Sequence, residues 1–306
     1  MIKNDLCAPI VVAGAAHLDR IGAFHTQPRP GRSVPGTMIT QVGGASLNTC
    51  QAIVAGGCEV ELHTVLGNDP PGELLKQTAN ARGIPLVAQS GERTASYTAF
   101  LDPKGTVTSA LADMSAYDSF APDPVIEAME RLKPHWVFLD ANLPADAIEQ
   151  IADNCKGHLA LGTVSDAKAK RILGALERAD LLFTNRSEAA TLLDHDDDSR
   201  MGELGRRLMG RGARTVIITG GYDDVVIGHH GRISGLPVPT IHIRDVVGAG
   251  DALTGATLAA VNRGVSLLSA VSIGIAAAQR VLAVDGAWCE DLGETISPMI
   301  EARLAD

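Results

Sequence analysis

Apolar and polar positions alternate along this chain in two rhythms, one of short unbroken apolar runs and one of longer amphipathic stretches. Ile10 to Ala16, Trp136 to Asp140, His158 to Val164, Leu181 to Thr184 and Thr215 to Thr219 are runs of the first kind. Their length and the turn residues that bound them predict strands buried on both faces. Thr37 to Val42 and Val60 to Leu66 read as further strands, and Glu73 to Arg82 as a helix closed by Gly83. From Trp136 onward each strand leads through a short loop into a helix, the pattern of parallel strands joined by right-handed crossovers. That repetition predicts an α/β fold of three layers and places Asp140, Asn142, Thr163, Ser165 and Lys168 near one rim.

Two stretches depart from this rhythm. Thr94 to Leu101 and Thr106 to Leu111 flank Asp102-Pro-Lys-Gly105, where Pro and Gly occupy favoured turn positions, so a hairpin is expected. A Thr-rich hairpin is out of place in a parallel sheet. Together with residues 17–42 it predicts a small β lid, formed by residues 17–42 and 93–113. The Gln27 to Pro35 segment is too rich in Pro and Gly for regular structure. Val225 to His230 and Arg232 to Ile243 read as antiparallel strands near the C-terminal third, and Ser266 to Ala283 as an apolar helix.

Composition narrows the picture. Hydrophobic residues make up 45% and aromatics only 3%, which suits an aliphatic core between helices and a parallel sheet. Nothing marks a boundary, so residues 1–306 are expected to form one domain. A net charge of -10 argues against a nucleic-acid polymer or an anionic membrane as partner. Cys7, Cys50, Cys58, Cys155 and Cys289 are scattered and lack zinc spacing, so they read as reduced thiols. Met1-Ile-Lys-Asn-Asp-Leu6 lacks the apolar run of a signal peptide, and no stretch is long enough to span a bilayer. A soluble, cytoplasmic protein is expected. His195 to Asp198 reads as solvated acidic surface.

The chemistry concentrates at two helix starts. Asp245-Val-Val-Gly-Ala-Gly-Asp251 runs into an apolar helix, and small residues there let an anion approach backbone N–H groups at the positive end of the dipole. Gly248, Ala249 and Gly250 are therefore expected to seat a phosphate. Asp251 is expected to take a proton from a hydroxyl that attacks phosphorus, although an Asp after a Gly-rich turn also suits a plain N-cap. Upstream, Gly43-Gly44 precede a helix that ends at Gly56-Gly57, a second helix mouth with exposed donors, and Asn48 lies about one turn inside. Asp19 follows the first strand, where open α/β sheets bind ligands. Asn185 and Glu188 bracket a helix start with capping-box spacing.

These motifs, in this order, resemble the ribokinase-like (PfkB) carbohydrate and nucleoside kinases. Gly-Ala-Gly-Asp251 matches that family's C-terminal signature, with Val246 where Thr is common, and Gly43-Gly44 to Cys50 resembles its N-terminal one. The resemblance implies a ribokinase-like fold and ATP-dependent phosphorylation of a hydroxymethyl group. It makes Asp19, Gly43, Gly44, Asn48 and Asn142 the substrate set, with His17 departing from a frequent Asn. Asn185 and Glu188 resemble the Asn-x-x-Glu motif that organises water around Mg²⁺, so Glu188 is expected to act on that ion through water. Thr219, Gly220 and Gly221 resemble a turn beside ATP, and Ala278 suits the edge of an adenine ring. In relatives, backbone oxygens near Val284-Asp285-Gly286 and the Asp245 segment hold a monovalent cation, which makes K⁺ a further expectation.

Ala110 to Met114, Asp140 to Pro144 and Gly162 to Arg171 look similar to stretches of pseudouridine kinases, although Leu47 stands where those enzymes often have Arg. The resemblance implies the 5′-hydroxyl of that nucleoside as acceptor, with a ribose or fructose-type sugar or another nucleoside as the alternative. A homodimer through the lid edge fits the same picture. A non-catalytic binding protein would not need Asp251, and a dinucleotide-dependent oxidoreductase would need a G-x-G-x-x-G turn that the first strand lacks.

Overall fold

The computed structural model describes residues 8–195 and 199–305. Expectations placed on Met1 to Leu6, Cys7 and Asp196 to Asp198 lie outside the described residues. In chain order the first half comprises β1 (Ile10–Ala13), β2 (His17–Phe24), β3 (Gly36–Gly43), α1 (Ala45–Ala55), β4 (Val60–Gly67), α2 (Pro70–Ala81), β5 (Leu86–Gly91), β6 (Ser96–Leu101), β7 (Val107–Asp113) and α3 (Asp123–Leu132). There follow β8 (Trp136–Asp140), α4 (Ala145–Asn154), β9 (His158–Gly162), α5 (Asp166–Ala169), β10 (Leu181–Asn185), α6 (Arg186–Leu193) and α7 (Met201–Gly210). The C-terminal part holds β11 (Thr215–Gly220), β12 (Asp223–His229), β13 (Arg232–Leu236), α8 (Ala249–Asn262), α9 (Leu267–Leu282) and α10 (Leu292–Ala305).

Nine strands make one sheet in the order β13-β12-β11-β10-β9-β8-β1-β4-β5, and only β12 and β13 run antiparallel to their neighbours. The unbroken apolar runs have the predicted consequence. Ile10, Val12, Phe138, Phe183 and Ile217 pack into one cluster with α1, α8 and α9, while Val11, Ala13, Val137, Leu139, Leu182, Val216 and Ile218 pack into another with α3, α4 and α7. Alternate residues of each strand thus feed opposite layers, which is what a sheet covered on both faces demands. A second sheet, β3-β2-β6-β7, contains the expected hairpin, with Gly105 N–H closing its turn onto Asp102 O at 2.9 Å.

Three elements differ from the sequence reading for identifiable reasons. The strand expected over Ile10 to Ala16 stops at Ala13, because Ala15 and Ala16 give their N–H groups to side chains, Asp140 Oδ2 at 2.8 Å and the Tyr117 hydroxyl at 2.9 Å, and not to a neighbouring strand. The chain turns there into β2, so Asp19 lies within the small sheet and not at the end of β1. α2 begins at Pro70 because Asp69 caps it, accepting the Gly72 N–H at 2.9 Å. β13 ends at Leu236 and not at Ile243, since Pro237 and Pro239 cannot donate to a ladder.

Close approach of α1 and α8 sets the geometry of everything above them. A Cβ at Gly255 would lie 2.2 Å from Thr49 O, and one at Gly56 would lie 2.5 Å from the Ala259 Cβ. On α9, Gly274 meets the Leu253 carbonyl in the same way, at 2.7 Å. Three glycines at crossings therefore seat the two helices whose N-termini carry the candidate chemistry.

Candidate active site

Strand order reverses around β1, whose neighbours β4 and β8 lead to opposite halves of the sheet. Ligands of open α/β sheets occupy the crevice beyond the strand C-termini at such a point. Thr163, Asn185 and Thr219 follow or end β9, β10 and β11 on that side.

α8 opens there with Gly248 as N-cap at φ 79°, a left-handed value suited to glycine. A Cβ at Gly248 would also strike Ala287 at 2.4 Å, so both backbone and packing require glycine. Asp245 ties this loop to the Gly286 turn, accepting the Val247 N–H at 3.1 Å and the Gly286 N–H at 2.9 Å. Gly250 differs from Gly248. It is exposed, and a Cβ there would meet nothing within 4 Å, which leaves open space over the first turn. The first N–H groups of the helix have no intrahelical acceptors, and this opening is a cradle an anion fits.

Asp251 faces α1 across this opening. Asn48 Nδ2 donates to Asp251 Oδ2 at 2.9 Å, joining residues 203 positions apart. Gln51, one turn along the same helix, donates to Asn48 Oδ1 at 3.3 Å and so fixes which way the amide points. Burial pushes the Asp251 carboxyl up to about 7; the Asn48 hydrogen bond opposes this, Asp140 and Glu188 add to it and His17 reduces it. A carboxylate that titrates near neutrality is suited to accept a proton from a hydroxyl.

The mouth of α1 is closed where that of α8 is open. Gly44, at φ 112°, leaves only 2.4 Å between a hypothetical Cβ and Ala15 O, and Leu47 N–H is taken by the same carbonyl at 3.2 Å. Gly43 is glycine because Asp19 Oδ2 would lie 2.1 Å from its Cβ. The exposed donors expected at Gly43 and Gly44 are therefore packed against β1 and the Asp19 side chain. Asp19 itself is buried at 7% exposure, and His17 Nδ1 stands 2.9 Å from its Oδ1 without hydrogen-bond alignment. Both atoms are buried without a hydrogen-bond partner.

On the other flank, Asn185 and Glu188 form a complete capping box at the start of α6. Glu188 N–H donates to Asn185 Oδ1 at 2.9 Å and Asn185 N–H to Glu188 Oε2 at 3.2 Å, while the Thr163 hydroxyl also donates to Oε2. Burial raises the Glu188 pKa against those bonds. Oε1 remains for a further partner. Carboxylate and amide oxygens are hard donors that suit Mg²⁺, and among the described residues no cluster of three His, Cys, Asp or Glu gathers, so water would complete such a shell. Val164 beside them adopts φ 65°, unfavourable for a β-branched residue, with Ser165 N–H closing onto Thr163 O at 2.7 Å.

One cavity of about 220 Å³ is lined by Gly250, Asp251, Asn185, Glu188 and Thr219, with Thr49 from α1. Asn48 joins them through Asp251. Asn142 is buried nearby, its Oδ1 held by Lys168 and its carbonyl by Arg171 at 2.8 Å; burial lowers the Lys168 pKa. Gly221, at φ 70° with open space around it, and half-buried Ala278 on α9 are not among the cavity's lining residues. Gln51, Ser46 and Tyr117 escaped the sequence reading. Gln51 had a signal in its i+3 spacing from Asn48, whereas nothing local marks Tyr117, whose hydroxyl donates to Ala16 O at 2.7 Å.

Comparison with known proteins gives the chain a family and its fold a precedent. Residues 9–288 match the family described as pfkB family carbohydrate kinase. The pseudouridine kinase of Escherichia coli is 26% identical over 80% of each chain, and the cytidine kinase of Thermococcus kodakarensis 27% identical over 83% of this chain and 92% of its own. The structure of Arabidopsis thaliana ribokinase complexed with ribose and ATP superposes with a TM-score of 0.85 at 19% identity, covering 97% of this chain and 99% of the other. The three-layer architecture with its small β lid is thus ribokinase-like.

Proposed function

The chain belongs to the pfkB family of carbohydrate kinases, and from that premise we propose that it uses ATP and Mg²⁺ to phosphorylate the 5′-hydroxyl of a nucleoside, pseudouridine in particular. The observation that carries the reading is the Asn48 to Asp251 hydrogen bond of 2.9 Å, which joins the acceptor-side helix to the phosphate-side helix. Asp251 takes the hydroxyl proton as the oxygen attacks the γ-phosphorus of ATP; the bond from that phosphorus to the β-phosphate oxygen breaks and ADP leaves. N–H groups of Ala249 and Gly250 hold the charge that builds on the transferring phosphoryl group, and Gly248 gives the loop the left-handed turn that aims them. Bound Mg²⁺ would neutralise charge on the nucleotide oxygens, and Asn185 and Glu188 are the residues placed to hold its water shell.

Asp19, Gly43, Gly44 and Asn48 form the acceptor side in this reading, with Asp19 and Asn48 bonding ribosyl hydroxyls. Asn142, its Oδ1 occupied by Lys168, offers amide donors to a base carbonyl. Thr219, Gly220, Gly221 and Ala278 border the nucleotide. The Asp245 and Gly286 segments, tied at 2.9 Å, would supply backbone oxygens to a bound K⁺. Met38 and Leu111 lie on one face of the second sheet, 54% and 68% exposed, and offer apolar surface to a second copy, while Ile39 projects from the opposite face. Among the described residues no helix is long and apolar enough to cross a membrane.

An ATP-consumption screen over pseudouridine, uridine, cytidine, adenosine, inosine, ribose and fructose tests the assignment. Pseudouridine should give the highest kcat/KM by at least an order of magnitude. Preference for cytidine or ribose would move the assignment to another nucleoside or to a sugar. Binding without turnover of any of them would identify a non-catalytic member of the fold.

A further inference from the structure

Asp140 ends β8 directly beside β1, has no exposed surface, and therefore touches no substrate. Its Oδ2 accepts the Ala15 N–H at 2.8 Å and the Ser46 hydroxyl at 2.7 Å, and its Oδ1 accepts the Asn142 N–H at 2.7 Å. Those donors sit on three separate segments: the β1–β2 loop, the first turn of α1 and the loop after β8. Each segment leads within four residues to a side chain of the acceptor side, namely Asp19, Asn48 and Asn142 itself. Gly14 is forced by the same carboxylate, since any Cβ there would overlap it.

We propose that Asp140 is the positioning residue of the acceptor side, one buried carboxylate that fastens the three segments carrying Asp19, Asn48 and Asn142. This rests on the kinase reading above and deepens it. A buried carboxyl group is costly, and three donated hydrogen bonds are the means by which folds retain one. The arrangement has an electrostatic consequence as well. Among the described residues, Asp140 on β8, Glu188 on α6 and His17 on β2 act electrostatically on Asp251, and Asn48 on α1 is its hydrogen-bond donor. Asp140 adds to the burial that disfavours ionisation of Asp251, so it acts on the base as well as aligning what the base acts on.

Two variants separate these effects from a merely structural role. Asp140→Asn removes the charge and turns one acceptor atom into a donor facing the Ala15 or the Asn142 N–H; Ser46→Ala keeps the carboxyl group and removes one bond. Asp140→Asn should raise the acceptor KM about tenfold or more, leave the ATP KM within about twofold, and move the acidic limb of kcat/KM to lower pH. Ser46→Ala should raise the acceptor KM several-fold with the limb unmoved. Repeating the profile in a His17→Asn background assigns the limb to Asp251. Acceptor KM unchanged in Ser46→Ala, or a limb unmoved in folded Asp140→Asn, overturns the proposal; if Asp140→Asn does not fold, Ser46→Ala decides alone. Asp251→Asn run in parallel keeps the readings apart, because retained turnover there defeats the base assignment and not the positioning one.

Discussion

The two helix mouths of this molecule are written in nearly the same letters and do opposite work. Gly43-Gly44 before α1 and Gly248-Ala-Gly250 across the start of α8 both place glycine at the mouth of an apolar helix, and both N-cap residues have positive φ. At α1 the space that glycine frees is filled by protein: Ala15 O, the Ala16 Cα and the Asp19 carboxylate. At α8 the Gly250 position looks onto nothing. A glycine before a helix therefore has two meanings, close packing of the fold on itself or room for something that is not protein. The closed mouth positions side chains, and the open one presents backbone.

The largest effect is expected at the acid inside the open mouth. Asp251→Asn keeps the size of the side chain and an acceptor for Asn48, so folding should persist. Loss of the base should lower kcat by roughly 10³, within the usual range for general-base catalysis. Turnover within tenfold of the parent would put the proton elsewhere.

Paired Gly→Ala changes sharpen the contrast between the mouths. Gly44→Ala meets a backbone carbonyl at 2.4 Å and a φ of 112°, so it should destabilise the protein by about 3 kcal/mol in urea unfolding. Gly250→Ala meets nothing, and alanine suits a helix better by up to about 1 kcal/mol, so stability should hold or rise. Its methyl group enters the phosphate cradle, and kcat/KM should fall by about tenfold to a hundredfold. Equal losses of stability from the two changes would erase the distinction drawn between them.

How far the sequence revealed this site depends on the range of the interaction. Local grammar was legible: the Asp102-Pro-Lys-Gly105 turn, the Gly56-Gly57 stop of α1, the capping box at Asn185 and the buried strands each follow from neighbours in the chain. The order of motifs, through family resemblance, was enough to name Asn48 and Asp251 as parts of one site, but not their hydrogen bond. What stayed hidden joins distant residues. Gly14 looks like part of an apolar strand until Asp140, 126 positions on, is seen to occupy its Cβ space. Asp19 therefore appeared to end β1 when it lies in the lid. Gly255 and Gly274 carry no local signal, and are contact points between helices.

The raised pKa of Asp251 gives the open mouth a cost that the closed one lacks. Its ordinary value is 3.8 and in the folded chain it is about 7, so between those values the native state binds more protons than the unfolded one. Stability must then fall as pH rises through that window, the reverse of an acid held in a salt bridge. At about 1.4 kcal/mol for each pH unit, the ceiling is about 4 kcal/mol by pH 8. Asp251→Asn removes this term, so the variant should match the parent near pH 4 and exceed its unfolding free energy near pH 8. A parent-minus-variant difference that does not change with pH would mean that Asp251 ionises in the folded chain as it does in water.

The smallest expected effect lies at a third helix start, that of α6, where capping and metal binding invoke the same side chain. Glu188 closes the capping box through Oε2, a bond that glutamine can also make through its amide oxygen. Glu188→Gln should therefore change stability by less than about 0.5 kcal/mol, whereas Glu188→Ala loses the reciprocal bond and should cost about 1 kcal/mol. Capping alone predicts nothing more for the glutamine variant. A role in holding Mg²⁺ through water requires the negative charge, and predicts that glutamine raises the Mg²⁺ concentration for half-maximal rate several-fold at saturating ATP while thermal unfolding stays in place. If the Mg²⁺ dependence of Glu188→Gln matches that of the parent, Glu188 is a cap and no more. The open mouth at α8 would then hold the phosphate without help from α6.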